Sequence, residues 1–274
     1  MIGNLQTTTL HERRVARRLD ARGEKGLAHS LVRLRGTEFG ARYHIESLYA
    51  VGGEGAVYIV RDAVRPWRPL VAKVPLLPVH QPFQLTSTVI HEQRSKISME
   101  ARLLARTRSA HLPRHLGTYS FRNPLLDAER GSVFAEPDPI YVMEKLPGSD
   151  LDRWLLRMHH TQLPQALMRR TLDRVAVVLL QALVELHERG FLYADLRPGN
   201  MRMIGHPHRR IRLLDAGSLV TVYDDSGRFP HVPAYLPPRV FDDLSAGRPI
   251  AVTPRSQAIM AGRSLYAVAT GPVS

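Results

Sequence analysis

The hydrophobic pattern of the chain changes near Gly148, and this change restricts the folds that are open to it. Before Gly148, short runs rich in β-branched residues are separated by turn residues, which predicts strands. After it, apolar residues recur at three- and four-residue steps, most clearly over 165–189, which predicts helices. A strand-rich half followed by a helical half indicates an α+β protein with two lobes, and small ligands bind in clefts between lobes.

The first half of the chain is expected to contain five strands and one helix. The strands are the runs YHIESLYAV, AVYIV, PLVAKV, HLGTYSFR and PIYVMEKL, of which the first two are joined by a glycine turn. The helix covers about 91–108, and a polar loop over 123–139 separates the last two strands. In the second half, Ser149 is expected to cap a first helix, and a long buried helix over 165–189 is expected to end at Gly190. The runs NMRMI and RIRLLD are expected to form two short strands.

The composition excludes several classes of protein. Apolar residues make up 44% of the 274 residues, which is enough for a hydrophobic core. The absence of cysteine excludes disulfides, thiolate metal sites and a cysteine nucleophile. The longest apolar stretch, 175–186, is interrupted by Gln181 and Glu185, so no membrane span is expected in this chain. The N-terminus has no apolar run of signal-peptide length, and the expected location is therefore cytoplasmic.

The chain has a net charge of +13, which favours anionic partners in general. Of its 38 basic residues only four are lysines, so the charge reflects a preference for arginine more than a particular ligand. The arginines are scattered and aromatic residues make up only 7%, whereas nucleic-acid binding requires clustered basic residues with aromatics between them. No nucleic-acid partner is expected.

The first 41 residues form a basic N-terminal extension. Four leucines are spaced to line one side of a helix that glycines interrupt: Leu19, Leu27, Leu31 and Leu34. The simplest interpretation is a solvated segment that packs loosely on the strands after it. An arm that binds nucleic acid or a membrane surface is the alternative.

A glycine cluster lies between the first two expected strands. Gly52, Gly53 and Gly55 have no side chains, so backbone N–H groups at this turn can approach phosphate oxygens. A tight hairpin explains these glycines equally well.

Lys73 lies in the apolar run PLVAKV, where a buried ammonium group is costly unless an anion pairs with it. In a chain with so few lysines, its presence on this strand indicates a requirement for a slender positive charge. Glu100, on the following helix, is the expected counter-ion. Taken singly, each of these residues is more often an ordinary surface residue.

Two loops in the second half of the chain carry acidic residues. Asp195 and Asn200 lie five residues apart in YADLRPGN, and Asp215 precedes a glycine turn in LLDAG. Carboxylate and amide oxygens of this kind can hold Mg²⁺. Turn chemistry explains any one of these segments, but it does not account for all of them in this order.

In this order and at these spacings, the motifs resemble those of the protein kinase superfamily, in particular the bacterial eukaryotic-like Ser/Thr kinases. The resemblance extends from about Tyr43 to Gly271. It implies a two-lobed protein-kinase-like fold, with a strand-rich N-lobe that has one helix and a mainly helical, incomplete C-lobe. The implied divisions are the extension 1–41, the N-lobe and hinge 42–147, and the partial C-lobe 148–274.

The resemblance also implies a role for each motif residue. ATP and Mg²⁺ are the expected cofactors, and a protein hydroxyl is the expected phosphate acceptor. Asp195 and Arg197 occupy the catalytic positions, and Asn200 and Asp215 occupy the metal positions. The nucleotide-binding positions are Gly52, Gly53, Gly55, Val57, Ala72, Lys73, Glu100, Met143, Glu144 and Leu146.

The chain departs from the family pattern at positions that bear on activity. Ala194 replaces the arginine that pairs with a phosphorylated activation loop. Arg197 replaces the lysine that steadies the transferred phosphoryl group, and these two cations are not interchangeable. The further departures are Ala50, Glu54, Tyr193, Arg202, Ala216, Val232, Arg239 and Gln257. The helices that complete the C-lobe in this family are absent from the 274 residues, so we expect a fragment of a longer protein.

Three functions remain open at this point. The first is ATP·Mg²⁺-dependent phosphoryl transfer to protein Ser/Thr hydroxyls, because every charged group that this reaction requires is present. The second is a pseudokinase, which binds nucleotide and presents a surface to a protein partner, and the departures support it. The third is a small-molecule kinase of the aminoglycoside type, although the runs DLRPGN and VAK fit protein kinases better.

Overall fold

The computed structural model divides the chain into two compact units. Unit 1 comprises Met1–Arg102 and His115–Lys145, and unit 2 comprises Leu103–Arg114 and Leu146–Ser274. The residues that the structure describes are 9–21, 26–52, 55–78, 81, 84–126, 131–151, 153–154, 157, 165–205, 210–222, 237, 242–243, 245–246 and 252–270.

Unit 1 is built on a six-stranded antiparallel sheet. Its strands are β1 (Glu38–Phe39), β2 (Tyr43–Val51), β3 (Gly55–Asp62), β4 (Leu70–Pro75), β5 (His115–Phe121) and β6 (Asp138–Glu144). Their order in the sheet is β1-β2-β3-β4-β6-β5. Every residue of β4 is buried, as expected for a central strand that is covered on both faces. All five strands expected in this half are confirmed, and β1 is an additional one.

One long helix follows β4, as the sequence predicts. This helix, α3 (Ser87–Thr107), begins earlier than the expected 91. The reason is a cap, because the hydroxyl of Thr86 accepts a hydrogen bond from the Val89 N–H at 3.3 Å and so stabilises an additional first turn. The polar loop expected over 123–139 contains a short helix, α4 (Ser132–Ala135).

The N-terminal segment packs against the sheet of unit 1 through two helices, α1 (Leu10–Ala21) and α2 (Leu27–Val32). Thr9 and Glu12 form a capping box, since each backbone N–H donates to the other side chain, at 2.7 and 3.2 Å. Glu12 also accepts a hydrogen bond from the Leu48 N–H on β2 at 3.2 Å. The leucines predicted to share one side are all in the hydrophobic core: Leu19, Leu27, Leu31 and Leu34. The described part of this segment therefore packs more tightly than the loose arrangement expected from the sequence.

In the part of unit 2 that the structure describes, the main elements are two long helices, α5 (Gln165–Glu188) and α6 (Pro254–Thr270). The short strands are β7 (Ser149–Asp150), β8 (Phe191–Tyr193), β9 (Met201–Ile204), β10 (Arg210–Leu213) and β11 (Leu219–Thr221). They form a three-stranded sheet in the order β10-β9-β7 and a two-stranded pair, β11-β8. The helix α5 stops before Gly190, which has φ +82°, as the sequence predicts. Across the described ranges of the chain, the helices are too short or too polar to cross a membrane.

Ser149 does not cap a helix as expected. Ser149 and Asp150 instead pair with Met203 and Arg202 of β9 in antiparallel register. Gly148, just before them, has φ +89°, and a Cβ at this position would overlap the Met203 carbonyl oxygen. The pairing of the two backbones takes precedence over the local capping preference of the serine, and helical backbone begins only after Asp150.

Candidate functional site

Lys73 lies on the central, fully buried strand β4 of unit 1. It is opposite Val57 on β3 and Tyr141 on β6. Its Nζ lies 2.8 Å from Oε1 and 2.7 Å from Oε2 of Glu100 on α3. The side chains of Lys73 and Glu100 are only 9% and 3% exposed. The ion pair that the sequence predicts is therefore present. The Glu100 carboxylate offsets the hydration that the Lys73 ammonium group loses on burial.

The glycine turn that joins β2 to β3 contacts this lysine. The Gly52 N–H donates to the Gly55 carbonyl at 2.9 Å, which closes a tight hairpin. A Cβ on Gly55 would lie 2.7 Å from Lys73 Cε and 2.9 Å from the Val74 carbonyl oxygen. Gly55 is therefore required for the packing of Lys73 as well as for the turn. Gly53 lies outside the described residues.

The other nucleotide positions implied by the resemblance lie on the strands around Lys73, with one exception. Val57 is on β3, Ala72 on β4, and Met143 and Glu144 on β6. Ala72 and Met143 are buried, whereas Val57 and Glu144 are partly exposed. The exception is Leu146, which belongs to unit 2 and is buried there.

In unit 2, the loop after β8 fixes the carboxylate of Asp195. Its Oδ2 accepts hydrogen bonds from Arg197 Nε at 2.9 Å and from Asn200 Nδ2 at 2.5 Å. Asn200 Nδ2 also donates to the Asp195 carbonyl at 3.2 Å. Burial raises the pKa of Asp195 above its ordinary value despite the nearby Arg197, and the charge of Asp215 adds to the increase. The structure thus brings the two expected catalytic residues and one expected metal ligand into a single hydrogen-bonded loop.

Asp215, the other expected metal ligand, follows β10 and is tied to the same loop. Its Oδ1 accepts a hydrogen bond from the Gly217 N–H at 3.2 Å, and its own N–H donates to the Tyr193 hydroxyl at 3.3 Å. The preceding residue, Leu214, donates its N–H to the Asn200 carbonyl at 2.9 Å. These bonds hold the Asp215 segment directly against the loop that carries Asp195.

The donors in these two segments fit a magnesium ion that also binds phosphate. Asp215 offers a carboxylate, and Asn200 offers an amide carbonyl because its Nδ2 is used by Asp195. Both are hard oxygen donors of the kind that Mg²⁺ prefers. Among the described residues, no three His, Asp or Glu side chains cluster as a metal site, so an ion here requires further oxygens. The phosphates of a nucleotide supply such oxygens.

Two side chains on one face of α6 donate hydrogen bonds to the segment that carries Asp195. Gln257 Nε2 donates to the Tyr193 carbonyl at 3.2 Å, and its Oε1 pairs with His187 Nε2. Ser264, two turns further along, donates its hydroxyl to the Leu196 carbonyl. Gln257 and Ser264 are each 1% exposed. Where the resemblance implies an aspartate, which only accepts when ionised, this chain has an amide that donates to a backbone carbonyl.

Arg202, a departure from the family pattern, is fully engaged within unit 2. Its Nε and Nη2 donate to Asp150 Oδ1 at 3.1 and 2.6 Å, and its Nη1 donates to the Leu146 carbonyl at 2.8 Å. Arg202 therefore connects β9 both to β7 and to the segment before β7. The polar side chain does not face water, since it is only 8% exposed.

Sequence reasoning missed a second buried ion pair in unit 1, between Arg94 on α3 and Asp138 at the start of β6, with 2.6 Å between Nε and Oδ1. It also missed Ser264. An aspartate that directly precedes the apolar run of β6 was a signal for a buried partner. Four other positions that the resemblance singled out lie outside the described residues: Gly53, Glu54, Val232 and Arg239.

No family model matches the chain, and no curated protein matches it. Among solved structures, the chain is similar to the kinase domain of PknI from Mycobacterium tuberculosis, crystallised as a point mutant, with a TM-score of 0.53 and 20% sequence identity. The similarity covers 86% of this chain and 77% of that one. The chain therefore has a protein-kinase-like α+β fold, as the resemblance implied.

Proposed function

We propose that the chain catalyses ATP·Mg²⁺-dependent phosphoryl transfer to protein Ser/Thr hydroxyls. The observation that carries the proposal is the Asp195 carboxylate, which is buried in a loop and held at one oxygen by Arg197 and Asn200. A carboxylate oriented in this way is suited to accept the proton of an acceptor hydroxyl. The Lys73–Glu100 pair in unit 1 supports the proposal, because a lysine so fixed is suited to neutralise phosphate.

Each of the site residues would have a distinct role in the transfer. Lys73 binds the phosphates of ATP, and Glu100 keeps the ammonium group in place. Asn200 and Asp215 hold Mg²⁺, which when bound neutralises charge on the phosphates. Asp195 orients the acceptor hydroxyl and takes its proton, and Arg197 stabilises the negative charge that develops on the transferred group.

A pseudokinase is the second candidate, and one observation favours it. Arg197 Nε is bonded to Asp195 itself, at 2.9 Å. In this arrangement, the cation that would steady the phosphoryl group neutralises the base. Under this alternative the chain binds nucleotide, transfers nothing, and presents its surface to a protein partner.

We expect ATP with Mg²⁺ to raise the thermal stability of the protein. A ligand that binds only the folded state, at 100 times its Kd, adds about 2.7 kcal/mol to the free energy of unfolding. Thermal-shift titration measures the effect. Lys73→Met should abolish it, whereas Lys96→Met, at a surface pair with Glu92 on α3, should retain it. A folded wild type that shows no shift with ATP·Mg²⁺ contradicts both the enzyme and the nucleotide-binding pseudokinase.

We expect phosphatase treatment to leave the transfer rate unchanged. In the protein kinases that the chain resembles, the residue at this position is an arginine that binds a phosphorylated activation loop. This chain has Ala194 instead, which carries no charge to bind a phosphate. Its N–H is bonded to the Ser218 carbonyl at 2.7 Å, and Ser218 is 1% exposed, so this serine is not accessible to modification. The measurement compares rates before and after dephosphorylation, which mass spectrometry should verify. A large loss of activity after dephosphorylation would show that another cation binds a loop phosphate.

A further inference from the structure

Arg94 makes a buried hydrogen-bonded cluster with the segment between β5 and β6. Its Nε donates to Asp138 Oδ1 at 2.6 Å, its Nη1 to the Val133 carbonyl at 2.9 Å, and its Nη2 to the Glu136 carbonyl at 2.8 Å. The Nη1 also lies 3.2 Å from Glu136 Oε2. The other oxygen of Asp138, Oδ2, accepts from Asn123 Nδ2 at 2.7 Å. We call Arg94, Asn123, Glu136 and Asp138 the Arg94 cluster.

All three nitrogens of the Arg94 guanidinium are used in this cluster, and the residue is 8% exposed. Asp138 is completely buried. The removal of these charges from water is costly, and the hydrogen bonds of the cluster compensate for the lost hydration. Lysine has a single nitrogen and cannot reproduce the planar fork, so the cluster depends on arginine in particular.

Apolar contacts join the same two parts of the chain. Ile90, one turn before Arg94, is completely buried. It belongs to a small core whose other members are Leu77, Leu85 and Leu126, with Val133 and Phe134 packed against it. The segment between β5 and β6 therefore holds the first half of α3 by both polar and apolar contacts.

The helix α3 is thus fixed at two points. Glu100 lies six residues after Arg94, which is about 9 Å along the helix axis at 1.5 Å per residue. Ile97, between them, is completely buried. Because a helix is stiff over this distance, its attachment at Arg94 determines where the Glu100 carboxylate lies relative to β4 and Lys73.

We propose that Arg94 is a positioning residue that places Glu100 against Lys73. It acts through hydrogen bonds and apolar contacts that lie within unit 1. The placement of Glu100 is independent of what the chain catalyses. The consequence for ATP binding rests on the proposed function.

The test observes the lysine side chains by NMR, because the chain has only four lysines and their signals can be assigned one by one. Selective ¹³C labelling of the lysine side chains gives signals from four residues in the wild type and from five in each variant that gains a lysine. Adding Lys73→Met to each background removes, and so identifies, the signal of Lys73. Glu100→Gln shows where this signal lies when the carboxylate charge is lost. Arg94→Lys keeps the positive charge of the Arg94 cluster but removes the planar guanidinium group and its several hydrogen-bond donors. Arg102→Lys makes the same change at an exposed position of α3, where Nε donates to the Ser98 carbonyl of the same helix.

In Arg94→Lys, the Lys73 signal should move towards its position in Glu100→Gln, while Arg102→Lys should leave it in place. A Lys73 signal that stays at its wild-type position in folded Arg94→Lys overturns the proposal. If Arg94→Lys does not fold, Asn123→Ala removes one donor to Asp138 and gives the same comparison. An unmoved signal overturns the proposal there too.

ATP affinity provides the second readout. Arg94→Lys should weaken ATP binding roughly 3- to 30-fold, the range expected for a residue that acts through another. The double variant Arg94→Lys/Glu100→Gln should bind no more weakly than Glu100→Gln alone, because both changes act through one contact. Additive losses would show that Arg94 does not act through Glu100. If the wild type binds no ATP, the proposed function is wrong, and the lysine signals alone decide the role of Arg94.

Discussion

Replacing Asp195 by asparagine is expected to reduce phosphoryl transfer roughly 10²–10⁴-fold, the usual contribution of a positioned base. Asparagine keeps the shape and one acceptor oxygen for Arg197 and Asn200, but it cannot take a proton. Affinity for ATP should change little, because Asp195 is not assigned to nucleotide or metal. The measurement pairs steady-state transfer to a protein substrate with equilibrium binding of ATP.

Two further variants make this result specific. Asp215→Asn should weaken the Mg²⁺-dependent part of ATP binding itself, since a metal ligand is lost. Asp173→Asn, on an exposed position of α5, makes the same chemical change away from the loop and should have no effect. Equal rates for Asp195→Asn and wild type would refute the role given to Asp195. A wild type that binds ATP but transfers no phosphate would instead favour the pseudokinase.

The stability of Asp195→Asn provides an internal control. Burial raises the pKa of Asp195, so this carboxyl favours folding below its unfolded pKa, and that contribution is lost as the pH rises through the folded pKa. At pH 7 the ionised group therefore opposes folding, and asparagine removes the charge. We expect thermal unfolding at pH 7 to show Asp195→Asn at least as stable as wild type, so that a lost activity cannot be attributed to unfolding.

Breaking the Lys73–Glu100 pair is expected to destabilise the protein by about 3–5 kcal/mol. Lys73→Met leaves a carboxylate that is 3% exposed without its ammonium, and Glu100→Leu leaves an ammonium that is 9% exposed without its carboxylate. The double variant Lys73→Met/Glu100→Leu should recover most of the loss, because no buried charge remains. Urea denaturation measures all three.

The chain provides a matched surface pair for this comparison. Lys96 and Glu92 lie one turn apart on α3, and their side chains are 30% and 57% exposed. Lys96→Met should therefore cost about 1 kcal/mol or less. ATP affinity should be lost in both Lys73 variants, including the stable double variant, which separates the binding role of the lysine from its structural role. If the double variant is as unstable as the single ones, the loss comes from packing and not from unpaired charge.

Much of this fold was predictable because its signals are local. The strands of unit 1 show alternation or short β-branched runs, and α5 has a helical repeat that ends at a glycine. Lys73 was predictable for a different reason. A lysine in an apolar strand of a chain with four lysines needs a specific partner, and Glu100 is an acid on the next helix.

The rest depends on contacts that no local pattern encodes. Arg94 is one of 34 arginines, and its partner Asp138 lies 44 residues away in a segment whose composition predicts only a polar loop. Ser149 has the local pattern of a helix cap, but pairing with β9 overrides it. The N-terminal leucines were placed on one side correctly, although their spacing could not show that the sheet of unit 1 covers them.

Gly148 limits how this chain can diverge in evolution. Its backbone is left-handed, and any side chain would collide with the Met203 carbonyl oxygen, so descendants of this sequence can replace it only if β7 separates from β9. Gly190 is also left-handed, at φ +82°, but it has open space around it, and asparagine is an accessible substitute there. Substitutions should therefore be accepted at Gly190, after the end of α5, more readily than at Gly148, before the two-residue strand β7. Among the strands that the structure describes in unit 2, the shortest is thus bounded by one of the least replaceable of the described glycines.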